Sequence, residues 1–130
     1  MRKSILLAFA LALIPIQSPA QSNTARVYVT FATESITVAG TAIGFTSATM
    51  APVGGSFRAG LATFVVECAT TSPCPIRILT TTPVTLPTAS VGIKLDEGDV
   101  ISIYGFDDIS SFRAIRTGAN SAVIQPQYSR

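Results

Sequence analysis

From residue 26 onward, apolar side chains recur at every second position in short runs, and each run is broken within a few residues by Gly, Pro, Ser or Asn. A period of two sends successive side chains to opposite faces of a strand, and no segment keeps the 3.6-residue period of a long helix. The pattern predicts strands over residues 26–32, 35–38, 42–45, 62–68, 75–79, 91–95, 100–104, 111–116 and 122–128. Val27, Val29 and Phe31 share one face of the first run, and Val91, Ile93 and Leu95 share one face of the sixth. Eight or nine short strands of this kind predict an all-β fold, a β-sandwich or a jelly-roll-like barrel.

Pairing is read from the breaks. Residues 62–68 and 75–79 are expected to form a hairpin, with Ala62, Phe64, Val66 and Cys68 on one face and a loop between Cys68 and Cys74. Residues 91–95 and 100–104 are expected to pair across the acid–glycine turn Asp96-Glu97-Gly98-Asp99. Residues 80–90 lack alternation and contain Pro83 and Pro87, which predicts an extended surface crossing long enough to link two sheets.

The N-terminus has a different character. Arg2 and Lys3 precede an apolar run over residues 5–16, followed by Gln17-Ser18-Pro19-Ala20. These are the basic, apolar and small-residue regions of a cleavable secretory signal, so residues 1–20 are expected to be a signal helix and 21–130 a single β domain. The apolar run is shorter than the roughly 20 residues that span a bilayer, and no membrane span is expected after cleavage. The expected location is outside the cytoplasm: periplasmic, extracellular or virion-associated.

Export bears on the two cysteines. Cys68 and Cys74 are expected to form a disulfide in an oxidising compartment, closing one short loop. Their five-residue spacer is not a CxxC redox motif, and a chain without histidine has no ordinary zinc ligand set to add to them. Beyond the signal, seven basic residues face seven acidic ones, which leaves no basic excess for nucleic acid.

Catalytic chemistry is poorly supplied. Without histidine there is neither a Ser-His-Asp nor a Cys-His arrangement. Lys94, the one lysine after the signal, would need burial beside Ser90 or Ser102 to act as a base, and an exposed strand lysine is the simpler reading. No catalytic residue and no cofactor is expected. Asp96, Glu97 and Asp99, with Asp107 and Asp108 nearby, are expected to be solvated turn residues and no metal site is expected; Asp96, Glu97 and Asp99 are the alternative candidates for calcium, although neither turn has the EF-hand spacing. Arg113 and Arg116 are expected to make local ion pairs with Asp107 and Asp108, and Tyr28, Tyr104 and Tyr128 to be half-buried sheet residues.

From Val66 onward the chain carries in succession Val66-Glu67-Cys68, Pro75-Ile76-Arg77, Pro87-Thr88, Val91-Gly92, Gly98-Asp99 and, most specifically, the run from Phe112 through Arg113, Ala114, Ile115, Arg116, Thr117 and Gly118 to Ala119. With the Thr41-Ala42-Ile43-Gly44 core upstream, the sequence resembles small β-rich virion proteins of tailed phages. The resemblance implies a non-enzymatic structural or attachment protein whose partners are like subunits or a cell-surface receptor, and it transfers no catalytic residue. The alternative is a secreted or periplasmic bacterial β-sandwich of adhesin or pilin-subunit type.

Overall fold

A computed structural model describes residues 26–54 and 57–130. The expected signal at 1–20 lies outside the described residues. The chain forms two antiparallel sheets packed face to face. In order, its elements are β1 (Thr30–Thr33), β2 (Ile36–Val38), α1 (Ser47–Met50), β3 (Leu61–Cys68), β4 (Ile76–Thr80), β5 (Ile93–Leu95), β6 (Val100–Tyr104), α2 (Phe106–Ser111), β7 (Phe112–Arg116), β8 (Ala122–Ile124) and β9 (Gln127–Ser129). The larger sheet holds β1, β2, β3, β6, β8 and β9, and the smaller one runs β5-β4-β7.

The expected all-β sandwich is therefore the observed class. Ala62, Phe64 and Val66 point into the core from β3, as their alternation predicts, and meet Ile76, Ile78, Phe112 and Ala114 of the smaller sheet. Four aromatic rings close the centre. Phe45 stacks on Phe112 with ring centroids 4.0 Å apart, and Phe64 and Tyr128 meet Phe45 edge-on at 6.0 and 5.6 Å.

Pro126 explains why the last run appears as two strands. The pairs Ala62–Tyr128 and Val66–Ile124 share one register, so β9 and β8 lie end to end along β3. Proline has no N–H for the ladder, and the buried Pro126 interrupts it opposite Phe64. The next line of the sheet breaks at the same level, between β1 and β2, where the Glu34 N–H donates to the Pro126 carbonyl at 3.3 Å.

Several expectations about extent and pairing are corrected. The first strand begins at Thr30; Val27 and Val29 are 83% and 57% exposed. Residues 42–45 contribute only an isolated bridge between Ile43 and Ala114. Neither predicted hairpin exists. β3 pairs with β6, β8 and β9, whereas β4 pairs with β5 and β7. The loop after Cys68 and the acidic turn after Leu95 each carry the chain from one sheet to the other. Residues 81–92, expected to link sheets, instead return the chain within the smaller one, since Ile78 pairs with Ile93. Arg77 fastens that return by donating to the carbonyls of Ala89 at 3.0 Å and Gly92 at 2.6 Å. Gly92 has φ +116°, and a Cβ there would lie 2.7 Å from the Ile78 carbonyl oxygen.

The Cys68–Cys74 disulfide, observed as expected, thus closes a crossover between sheets and not a hairpin loop. A second crossover, between β7 and β8, lies against it: Ala69 N–H donates to Ser121 O at 3.0 Å, Thr117 N–H to Pro75 O at 2.9 Å, and Asn120 Nδ2 to Pro73 O at 3.2 Å. Closing so short a ring stabilises the fold by about 2 kcal/mol through the unfolded chain. Denaturant unfolding with and without reductant is expected to differ by that amount; equal midpoints would show that the hydrogen-bonded crossovers hold the corner without the bridge.

Candidate functional site

The residues singled out for chemistry are structurally occupied or apart. Lys94 Nζ pairs with Asp96 at 2.9 Å, and both side chains are more than half exposed, so the lysine is not the desolvated amine a Ser-Lys pair requires. Ser102 Oγ is engaged with Thr63 Oγ1 at 3.0 Å, and Ser90 with Thr88. The Asp99 carboxylate accepts the Asp96 backbone N–H at 2.8 Å, bracing the crossover between β5 and β6. The calcium candidates Asp96, Glu97 and Asp99 all lie on this exposed turn, and among the described residues no three Cys, Asp or Glu side chains gather as a metal-binding group.

The expected pairing of Arg113 and Arg116 with Asp107 and Asp108 is replaced by bonds to backbone. Arg113 donates to Phe112 O at 2.6 Å and Ser110 O at 3.2 Å, and Arg116 to Ala119 O at 2.9 Å. The reason is α2, a short helix absent from the strand pattern. It starts after Gly105, whose φ of 87° ends β6, and places Asp107 and Asp108 in its first turn, where carboxylates favour the helix N-terminus. Among the described residues, Lys94–Asp96 is the one ion pair.

Tyr28 is half-buried as expected, although it lies just ahead of β1, whereas Tyr104 and Tyr128 depart from half-burial in opposite directions. Tyr128 is fully buried, and its hydroxyl donates to Glu34 Oε1, which also accepts the Thr46 N–H at 3.0 Å. Burial, reinforced by the adjacent carboxylate, holds the Tyr128 hydroxyl far above its ordinary pKa of 10.0. Tyr104 is 61% exposed and meets Tyr28 edge-on at 6.3 Å.

The surface feature with the clearest capacity to act is the side of the sandwich between β5 and β6. Here the two sheets part over a groove of about 620 Å³, floored by Ile78, Ile101 and Ile103 and rimmed by Ile93 and Tyr104. Ile93 keeps the face its alternation predicts, but at 63% exposure it projects beyond the cover of the opposite sheet. β6 pairs with β3 alone. The Val66 N–H donates to Asp99 O, so Val66 faces β6; by alternation, Val100, Ser102 and Tyr104 turn their backbone groups away from β3, toward the open edge.

The other edges are guarded in recognisable ways. β7 is covered by Ile43 and by Arg116 N–H donating to Ala39 O; β5 carries Lys94; β1 and β2 have four and three residues. β6 is a five-residue run without charge or proline, and Val100 is 65% exposed. The strand is visible in the sequence but its place at an open edge is not, because edge position depends on which strands fail to pair. The disulfide fits an oxidising compartment, and among the described residues no helix is long and apolar enough to cross a membrane. No family model matches the chain, and neither a curated protein nor a solved structure matches it.

Proposed function

We propose that this chain is a non-enzymatic structural or attachment protein, of the kind represented by small tailed-phage virion proteins, that joins to like subunits through the open edge of β6. The uncharged, unguarded β6 edge beside the apolar groove is the observation that carries this reading. The occupant that fits is a second copy of the same strand. Antiparallel pairing centred on Ser102 sets Val100 opposite Tyr104 of the other copy, joins the free backbone groups of both edges, and brings no charged strand residue across the junction. An isologous contact of this kind closes after two copies.

Native mass measurement and sedimentation of the processed protein are expected to show a dimer. Val100→Lys, which puts a charge on an already exposed edge position, is expected to give a folded monomer whose melting temperature, unlike that of the wild type, does not rise with protein concentration. A monomeric wild type at high micromolar concentration would overturn pairing between copies. The virion assignment is tested separately by mass spectrometry of purified phage particles from the source, where absence from every preparation opposes it.

The Cys68–Cys74 disulfide favours a second reading, a periplasmic or secreted bacterial β-sandwich of adhesin or pilin-subunit type. Recovery of the processed chain from periplasmic or surface fractions of uninfected cells supports that reading; its restriction to infected cells opposes it.

A further inference from the structure

The six arginines from residue 26 onward divide into two groups. Arg77, Arg113 and Arg116 donate to backbone carbonyls and are thereby structural. Arg26, Arg58 and Arg130 are exposed, form no ion pair among the described residues, and line one pocket of about 700 Å³ together with Tyr28 and Tyr104. They are far apart in sequence, and the fold gathers them.

The floor under them is tied by backbone hydrogen bonds. Val29 and Arg130 exchange bonds at 3.1 and 3.2 Å, Gly60 N–H donates to Ser129 O at 2.8 Å, and Gly105 N–H donates to Gly60 O at 2.9 Å. Two of the guanidinium groups are positioned by aromatic rings. Arg58 lies 4.8 Å from the centroid of Phe106, and Arg130 lies 3.9 Å from that of Phe57. A guanidinium resting on a ring keeps its N–H groups in the ring-parallel plane free to meet an oxyanion, and its side-chain entropy is partly lost before binding.

We propose that the Arg26/Arg58/Arg130 pocket is a binding site for an acidic saccharide, with arginines taking the carboxylate or sulfate groups and Tyr28 and Tyr104 providing the apolar wall for a sugar ring. The charge distribution favours a short anionic glycan over nucleic acid. Seven basic residues from residue 26 onward are balanced by seven acidic ones, and the three arginines form a local cluster, not a stripe that tracks a phosphate backbone. The site shares Tyr104 with the proposed junction between copies, but its three arginines lie outside β6, so anion binding does not depend on that pairing.

Calorimetric titration of the processed protein with trigalacturonate and, separately, with a heparin-derived tetrasaccharide distinguishes carboxylate from sulfate as the preferred group. Maltotriose serves as the neutral control and a short oligothymidylate as the nucleic-acid control. Binding of at least one acidic probe is expected, weakened by added salt, with little response to either control. Arg58→Gln and Arg130→Gln are each expected to weaken it about tenfold, the effect of losing one charge-assisted contact. Lys94→Gln, elsewhere on the surface, is expected to leave affinity unchanged. Melting temperatures of all three variants should stay within a few degrees of wild type, since these side chains are exposed and their ring and ion-pair contacts contribute little to stability. Absence of heat with both acidic probes, affinity insensitive to both arginine substitutions, or tighter binding of the oligothymidylate would each overturn the proposal. A Val100→Lys monomer that still binds separates this site from the subunit contact.

Discussion

Phe112→Ala is expected to lower the free energy of unfolding by about 3–5 kcal/mol. Phe112 is fully buried at the start of β7, stacked on Phe45 and 5.5 Å from Phe64 of the opposite sheet, so its ring fills the space between sheets. Truncation removes that apolar area from the core and leaves a cavity which two paired sheets cannot collapse to fill. Domains of this size are stable by about 5–15 kcal/mol, so the change removes a large share of the total. Phe112→Leu keeps most of the volume and is expected to lose less, which provides a reading if the alanine variant does not fold. Guanidinium unfolding measures both; a loss below ~1 kcal/mol for alanine would show that the stack is not a principal contact between the layers.

Tyr128→Ala is expected to cost about 3–5 kcal/mol and Tyr128→Phe about 1–2 kcal/mol, so the pair separates the ring from its hydroxyl. The ring is fully buried beside Phe45, while the hydroxyl donates to the same Glu34 oxygen that accepts the Thr46 N–H. The hydroxyl also sets a pH dependence. Its folded pKa is raised above the ordinary 10.0, so the folded state retains a proton that the unfolded state releases. The resulting stabilisation is complete below pH 10 and is lost as pH rises above it, at up to about 1.4 kcal/mol per pH unit for one proton. Unfolding curves from pH 9 to 11 are expected to show this decline in wild type and a shallower one in Tyr128→Phe. Parallel curves would remove Tyr128 as its source.

Strand identity is legible in residues 62–68, 75–79, 91–95, 100–104 and 111–116 because alternation is a local property: burial of Phe64 and Val66 follows from which face the core takes. Residues 122–128 read as one run, and their two halves do keep one register across the proline. Partner choice is not legible. Two cysteines around a short loop, or an acid–glycine turn between apolar runs, look alike whether the chain folds back on the same sheet or crosses to the other. The helix at 106–111 escapes the strand pattern because a six-residue segment is too short to display a helical period, and its only local signals are Gly105 and two aspartates.

The candidate surfaces divide in the same way. The absence of histidine, the balance of charge and the potential of Cys68 and Cys74 to pair belong to the sequence alone, since they depend on which groups exist. Tertiary structure decided that β6 stands at an unguarded edge, that the bridge joins two sheets, and that Arg26, Arg58 and Arg130 line one pocket. Each of these depends on contacts between residues distant in the chain. Alternation fixes the direction of a side chain relative to its own strand, but only the packing of the two sheets determines what lies in that direction.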